Sequence, residues 1–212
     1  MGLIKNGILG GVSGKVGNII GASWNGIDYI RTKPDHVANP NTRKQQAQRS
    51  KFKGVQELAQ MLKYPVIRPC WNHIAVKMSG FNYFTQKNIG AFGSDGQIED
   101  FSKIQPFIGS LPFPVEFNGS VDQTDGTKLV FEWKDDKDVC QFSDESMLNI
   151  IVLVKGSLRP RLFYSMCKRS ELKTEIDVDG MYPEGTELNV YAFFSEDEFT
   201  KFSDSVHNAV TV

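Results

Sequence analysis

The chain has 212 residues, of which 40% are hydrophobic and 23% are charged, a composition typical of a globular protein. A chain of this length buries about 70% of its unfolded surface and needs no disulfides or metals for stability. Its length and composition exclude the collagen, coiled-coil and disulfide-knot classes. It contains no run of 18 apolar residues, and its first residues show no signal-peptide pattern. We therefore expect a cytoplasmic or virion protein that does not span a membrane.

The net charge of −1 conceals an uneven distribution along the chain. Residues 1–90 carry 13 Lys/Arg and 3 acids, a net charge of +10, whereas residues 91–212 carry 11 Lys/Arg and 22 acids, a net charge of −11. The basic half could bind nucleic acid or an acidic partner, or dock onto the acidic half of another copy. Both halves could equally be solvated surfaces that attract each other within one molecule.

Cysteines and histidines show no catalytic or metal-binding pattern in the sequence. Cys70, Cys140 and Cys167 lie far apart and are expected to be free thiols, although Cys140 and Cys167 could pair if they lie on neighbouring strands. The three histidines are equally scattered. We therefore expect no cofactor, no metal site and no enzymatic activity.

Two extended segments follow each other in the glycine-rich start of the chain. They are residues 15–24 and 27–31, and Asn25-Gly26 between them is the strongest short hairpin signal. Glycines weaken the first strand, which suggests a bulge or a close approach of another backbone.

Helical periodicity begins after a proline-containing linker at residues 32–41. A first helix is predicted from about Asn41 or Thr42 to Lys63, followed by a second amphipathic helix and a short third helical segment. The predicted core stripe of the first helix consists of Phe52, Val55, Leu58, Ala59 and Leu62.

From residue 104 the apolar residues alternate with a period of two, as in β-strands. Leu129, Phe131 and Trp133 share one face, so Trp133 is expected to be buried. Six or seven short strands with polar turns between them predict an antiparallel β-sandwich. The fold class is thus α+β, with a basic domain at residues 1–96, a glycine-rich β-hairpin plus two or three helices, and an acidic β-sandwich at residues 104–212.

Three segments are similar to ligand-binding motifs but lack essential residues. Residues 10–16 lack the first glycine and the Ser/Thr of a phosphate-binding loop. Asp177-Val178-Asp179-Gly180 lacks the remaining ligands of an EF-hand. That segment and the run of Asp135, Asp136 and Asp138 are better explained as polar turns.

The C-terminal part resembles a fibronectin type III domain. The resemblance covers roughly residues 106–212 and rests on Leu129-x-Phe131-x-Trp133, the strand at residues 148–154, and residues 181–190 (MYPEGTELNV). In that family the tryptophan lies on the second strand, and a Pro-Gly-Thr turn leads into the sixth. The resemblance implies an Ig-like binding or spacer module.

Nearly the whole chain also resembles an uncharacterised family of Bacteroidota proteins, a domain of unknown function. The segments that carry this resemblance are GKVG at 14–17, Gly21, WNGIDYIR at 24–31, QRSKF at 48–52, SGFN at 79–82 and SDS at 203–205. The resemblance implies an origin and an architecture but no activity.

These observations predict a non-enzymatic structural or assembly protein that forms oligomers through protein–protein contacts, for example a phage or prophage virion component. The expected partners are copies of itself or other assembly proteins. The alternative is a nucleic-acid-associated protein that binds phosphates through its basic half. The candidate interaction residues are Lys15, Trp24, Tyr29, Arg31, Arg43, Lys44, Arg49, Lys51 and Lys53.

Overall fold

The computed structural model describes residues 3–4, 11–24, 26–36, 39–122, 128–135, 143–196 and 201–212. The chain divides into two compact units, Met1–Thr42 and Arg43–Val212. Both units contain antiparallel sheet, and the helices belong to the second, so the fold is α+β.

The first unit contains a four-stranded antiparallel sheet in which each strand pairs with the next along the chain. Its strands are β1 (Leu3–Ile4), β2 (Val12–Val16), β3 (Ile19–Trp24) and β4 (Ile27–Thr32). Trp24 pairs with Ile27 across a two-residue connection, which confirms the predicted hairpin, although Asn25 itself lies outside the described residues.

The predicted single strand at residues 15–24 is wrong, because the chain reverses within it. Gly17 has a φ of +59°, and Val16 pairs with Ile19 across the turn. A positive φ at the first turn position is the conformation that glycine supplies in tight hairpins. A second glycine, Gly21, allows the backbones of β2 and β3 to approach closely, since a Cβ at this position would clash with the Val12 carbonyl oxygen.

The second unit begins with the helical part of the chain. It consists of α1 (Arg43–Met61), a π-helical segment (Lys63–Trp71), α2 (Asn72–Ile74) and α3 (Gly80–Asn88). Val55, Leu58, Ala59 and Leu62 are fully buried, as predicted, but Phe52 is 51% exposed.

The predicted second amphipathic helix is interrupted between Ala75 and Ser79. Ala75 has extended backbone angles, and the Ser79 hydroxyl accepts a hydrogen bond from the Asn82 N–H to start α3. The Gly80 N–H donates to Asn72 Oδ1 at 3.2 Å, and a Cβ on Gly80 would come within 2.4 Å of that oxygen. Close contact between the two helix ends therefore requires glycine at position 80.

Two antiparallel sheets follow. One has the order β5-β6-β9, and the other has the order β11-β10-β7-β8 with β12 also paired to β10. The strands are β5 (Glu116–Val121), β6 (Lys128–Lys134), β7 (Met147–Val154), β8 (Arg161–Phe163), β9 (Lys173–Asp177), β10 (Glu187–Glu196), β11 (Lys201–Phe202) and β12 (Val206–Thr211).

The sheet containing β7 and β10 separates two hydrophobic cores. On one side, Ile151, Leu153, Tyr191 and Phe193 pack with the helices. On the other side, residues of β7 and β10 pack with Leu129, Phe131 and Trp133 of β6 and with Ile176 of β9. The second unit therefore has three layers: helices, a five-stranded sheet and a three-stranded sheet.

The compact units differ from the predicted domains 1–96 and 104–212. Helices and sheet share one core, to which Ala91 and Phe92 of the predicted first domain and Phe101, between the two predicted domains, also contribute. The Tyr191 hydroxyl also donates to the Phe101 carbonyl at 2.8 Å. Whether residues 104–212 fold alone stays a prediction that truncation can test.

Truncation is expected to show that residues 43–212 unfold cooperatively and residues 104–212 do not. The shorter fragment exposes Ile151, Leu153, Tyr191 and Phe193, which the helices cover. Fully burying one such side chain is worth about 1.5–3 kcal/mol. Thermal denaturation followed by near-UV circular dichroism measures this, and a sharp melt of 104–212 would restore the predicted boundary.

Trp133→Ala is expected to lower the free energy of unfolding by about 3–5 kcal/mol, the usual cost of truncating a core aromatic. Trp133 is 3% exposed and its Nε1 donates to the Arg169 carbonyl at 2.9 Å. Phe52→Ala is the matched control, because Phe52 is 51% exposed and lies in the same unit as Trp133. Urea denaturation should show a loss below about 0.5 kcal/mol for the control.

Candidate interaction surface

Four of the predicted interaction residues lie on one face of the first unit's sheet. Directly paired residues of antiparallel strands project to the same side, and successive residues alternate. Lys15 pairs with Ile20 and Ile20 with Arg31, while Ala22 pairs with Tyr29 and Trp24 with Ile27. This aromatic face consists of Lys15, Ile20, Ala22, Trp24, Ile27, Tyr29 and Arg31.

The opposite face of the same sheet is also largely apolar. Val16 pairs with Ile19, Gly21 with Ile30, and Ser23 with Asp28. This aliphatic face consists of Val16, Ile19, Gly21, Ser23, Asp28, Ile30 and Thr32. Lys15 and Arg31 therefore lie on the face without a carboxylate, and Asp28 lies on the other.

Six large apolar side chains of this sheet are exposed, while Val12, Ile20 and Ala22 are half-buried. Large exposed side chains occur on both faces: Val16, Ile19, Trp24, Ile27, Tyr29 and Ile30. None of them belongs to either hydrophobic core. Among the residues of the first unit whose burial is described, only Gly21, which has no side chain, is buried. Contiguous exposed apolar patches are typical of interaction surfaces, so this sheet is the candidate surface of the first unit.

The five predicted cationic residues of α1 do not form one stripe. With 3.6 residues per turn, Arg49 and Lys53 lie on the side of the helix away from Val55 and Leu58, whereas Lys44 and Lys51 lie on the same side as the buried residues. Lys53 also lies 3.8 Å from Glu57. Whether these residues, including Arg43, bind a partner stays a prediction, but the helix does not present them together.

The sequence did not point to a shallow apolar depression in the second unit. Tyr64, Pro65, Arg68, Pro69 and Tyr164 line it, around a volume of about 580 Å³. The Arg68 guanidinium lies 4.8 Å from the centre of the Tyr64 ring, and burial raises the pKa of Tyr164 to about 12. Tertiary packing brings residues 64–69 and Tyr164 together, so no local sequence signal could have shown this depression.

Cys70 lies beside a second cavity of about 370 Å³ that His73 also lines. Its thiol contacts the Ile108 carbonyl at 3.2 Å, and burial raises its pKa to about 11. A thiol with a raised pKa is a poor nucleophile at neutral pH. Cys167 is also a buried free thiol with a raised pKa, and Cys140 lies outside the described residues.

Within the described parts of the chain, no group of three or more His, Cys, Asp or Glu residues is arranged to hold a metal ion. Asp177 instead accepts a hydrogen bond from the Asp179 N–H at 2.9 Å, the pattern of a polar turn. Asp136 and Asp138 lie outside the described residues. No described helix is long and apolar enough to cross a bilayer.

Arg169 and Asp135 form an ion pair with both side chains buried. Arg169 is 1% exposed, its Nε donates to Asp135 Oδ2 at 2.8 Å, and its Nη1 donates to the Pro112 carbonyl at 2.6 Å. The guanidinium also lies 5.0 Å from the centre of the Phe194 ring. These contacts satisfy the charge internally, so the pair has a structural role.

Arg169→Ala is expected to lower the free energy of unfolding by about 3–5 kcal/mol, because it leaves the Asp135 carboxylate buried without its partner. Lys134→Ala is the matched control, since Lys134 pairs with Glu116 at 2.8 Å on the exposed face of the sheet. An exposed pair contributes about 0–1 kcal/mol. Chemical denaturation should separate the two variants, and equal losses would contradict the burial of the Arg169 pair.

Comparison with known proteins gives a family but no activity. The model of a family of unknown function, DUF6266, matches residues 11–209. No curated protein matches the chain.

Proposed function

The chain belongs to the DUF6266 family, whose function is unknown, and we propose that it is a non-enzymatic assembly protein that makes protein–protein contacts through the β2–β4 sheet. The observation that carries the proposal is the set of exposed apolar side chains on both faces of this sheet, which contribute to neither core.

Covering the exposed side chains would stabilise the sheet. A sheet becomes stable in water through a hydrophobic face on three or more strands or through packing against a helix. Burying one large apolar side chain completely contributes about 1.5–3 kcal/mol, and six such side chains of this sheet are exposed. A partner surface that covers them would supply the packing that the first unit lacks.

The chemistry of the second unit supports a non-enzymatic role. Cys70, a thiol that lines a cavity, has a raised pKa because it is buried. The one buried ion pair described above is satisfied by structural contacts. Neither arrangement activates a group for catalysis.

We extend the proposal to a fibronectin type III-like sandwich that serves as a binding or spacer module. Trp133 lies on β6, the second strand of the two sheets, and the turn containing Pro183, Gly185 and Thr186 leads into β10, the sixth. Both positions agree with the resemblance. A phage or prophage virion would use such modules repeatedly, and this role and the Bacteroidota origin stay predictions.

Nucleic-acid binding is the second candidate, and one observation favours it. The aromatic face combines Lys15 and Arg31 with Trp24 and Tyr29. Aromatic side chains on a sheet can stack on bases while cations bind phosphates. The distribution of cations around α1 does not extend this surface, and base stacking leaves the aliphatic face without a role, so protein assembly is preferred.

Sedimentation of the nuclease-treated full chain is expected to show oligomers. The double variant Trp24→Ser/Tyr29→Ser should weaken association by about tenfold or more, since each ~1.4 kcal/mol lost changes the equilibrium constant tenfold. Phe52→Ser/Tyr64→Ser is the matched control, because these aromatic side chains are 51% and 65% exposed, similar to Trp24 and Tyr29, but lie in the second unit. The control should sediment like the unchanged protein.

Two results would overturn the assembly proposal. The first is a monomer at every concentration for both the full chain and the control. The second is a monomer that binds single-stranded oligonucleotides tightly and loses this binding in the Trp24→Ser/Tyr29→Ser variant. The latter result would establish the nucleic-acid alternative.

A further inference from the structure

Strand β4 forms an open edge of the first unit's sheet. It pairs with β3 and with no other described strand. All six of its residues, Ile27–Thr32, are exposed, and neither a proline nor a bulge interrupts its pairing with β3. A long edge with unpaired backbone groups is a template for pairing with another strand.

The ladder with β3 identifies the backbone groups that are free. The Lys33 N–H donates to the Asn18 carbonyl at 2.7 Å, which extends the β3–β4 ladder by one residue pair beyond Ile19 and Thr32. In an antiparallel pair, alternate residues turn both N–H and C=O toward the same neighbour. The odd-numbered residues from 27 to 33 therefore bond to β3, and Asp28, Ile30 and Thr32 turn their N–H and C=O groups toward the open edge.

We propose that two copies of the chain pair through their β4 strands, antiparallel about a two-fold axis, with Ile30 opposite Ile30 of the second copy. This inference rests on the proposed assembly function and names its partner and register. A two-fold axis perpendicular to the sheet keeps each face on its own side. Opposing residues must therefore both be odd-numbered or both be even-numbered.

The neighbouring registers are each less favourable than the one centred on Ile30. Centring on Asp28 or on Arg31 places like charges directly opposite, which is destabilising. Centring on Thr32 places Ile30 opposite Pro34, which has no N–H. Centring on Tyr29 leaves Thr32 opposite Gly26, a turn residue with a φ of +78°.

The register centred on Ile30 uses all the free backbone groups of the edge. Asp28 lies opposite Thr32 of the second copy, and Ile30 lies opposite itself. Between these hydrogen-bonded pairs, Tyr29 of each copy lies opposite Arg31 of the other copy. Side chains approach most closely at such intervening pairs, and a guanidinium is attracted to an aromatic ring. The strand is therefore complementary to itself, which favours a second copy as the occupant.

Opposite charges at position 30 test the register directly. Ile30→Lys and Ile30→Glu should each weaken dimerisation by about tenfold or more, because each places like charges together on the axis. An equimolar mixture of the two variants should recover a mixed dimer. Ile30 is 65% exposed and lies opposite Gly21 of β3, so either side chain fits the hairpin. Circular dichroism checks that both variants are folded.

Val115→Lys is the matched control for the charge. Val115 is 63% exposed, close to the 65% of Ile30, but it lies in the second unit and outside the β2–β4 sheet. This variant should dimerise like the unchanged protein, as measured by sedimentation equilibrium.

A cysteine at the axis gives a second, independent readout. Opposed Cα atoms in a hydrogen-bonded pair lie about 5.5 Å apart, within the range of a disulfide. In a chain that also carries Cys140→Ser, Ile30→Cys should form a covalent dimer under mild oxidation, and Ile19→Cys should not. The native Cys70 and Cys167 are buried and leave this background low.

The outcomes distinguish this inference from the proposed function. If the full chain is oligomeric but neither Ile30→Lys nor Ile30→Cys behaves as expected, the β4 pairing is wrong and assembly uses another surface. If both charge variants dissociate but their mixture does not reassociate, position 30 is not on the axis. A full chain that is monomeric at every concentration overturns both proposals.

Discussion

Strands β7 and β10 are covered on both faces, and the architecture of the second unit depends on this two-sided burial. The helices cover one face and the three-stranded sheet covers the other. A strand buried on both sides must be apolar at nearly every position, and Leu148–Val154 and Leu188–Phe194 have such sequences, with an asparagine in each. Asn149 Nδ2 donates to Ser195 Oγ at 2.9 Å. Asn189 Oδ1 lies 2.9 Å from His207 Nε2, whereas Asn189 Nδ2 is buried without a hydrogen-bond partner among the described residues.

Much of the second unit could be predicted from the sequence because its signals are local. The alternation of Leu129, Phe131 and Trp133 predicted their shared buried face. The sequence did not show which element covers the second face of β7. A continuous apolar run indicates that both faces of a strand are buried, but it does not indicate which elements cover them. The helices were therefore predicted as part of a separate domain, although they share a core with the sheet.

The surface of the first unit was predicted in part. Lys15, Trp24, Tyr29 and Arg31 lie on one face because the register of two hairpins brings them there. That register depends on the turn at Gly17, which the sequence reading placed inside a strand. The cations of α1 were grouped by their density in the sequence, whereas helical geometry distributes them around the axis.

The described residues of the first unit contribute to neither hydrophobic core. A substitution at an exposed position of β2, β3 or β4 therefore removes no side chain from either core. Under the proposed assembly function, selection on partner choice and selection on core packing would act on different residues. The exposed residues of β2–β4 could then vary with a changing partner while the three-layered unit keeps its sequence constraints, and one scaffold could acquire new binding specificities.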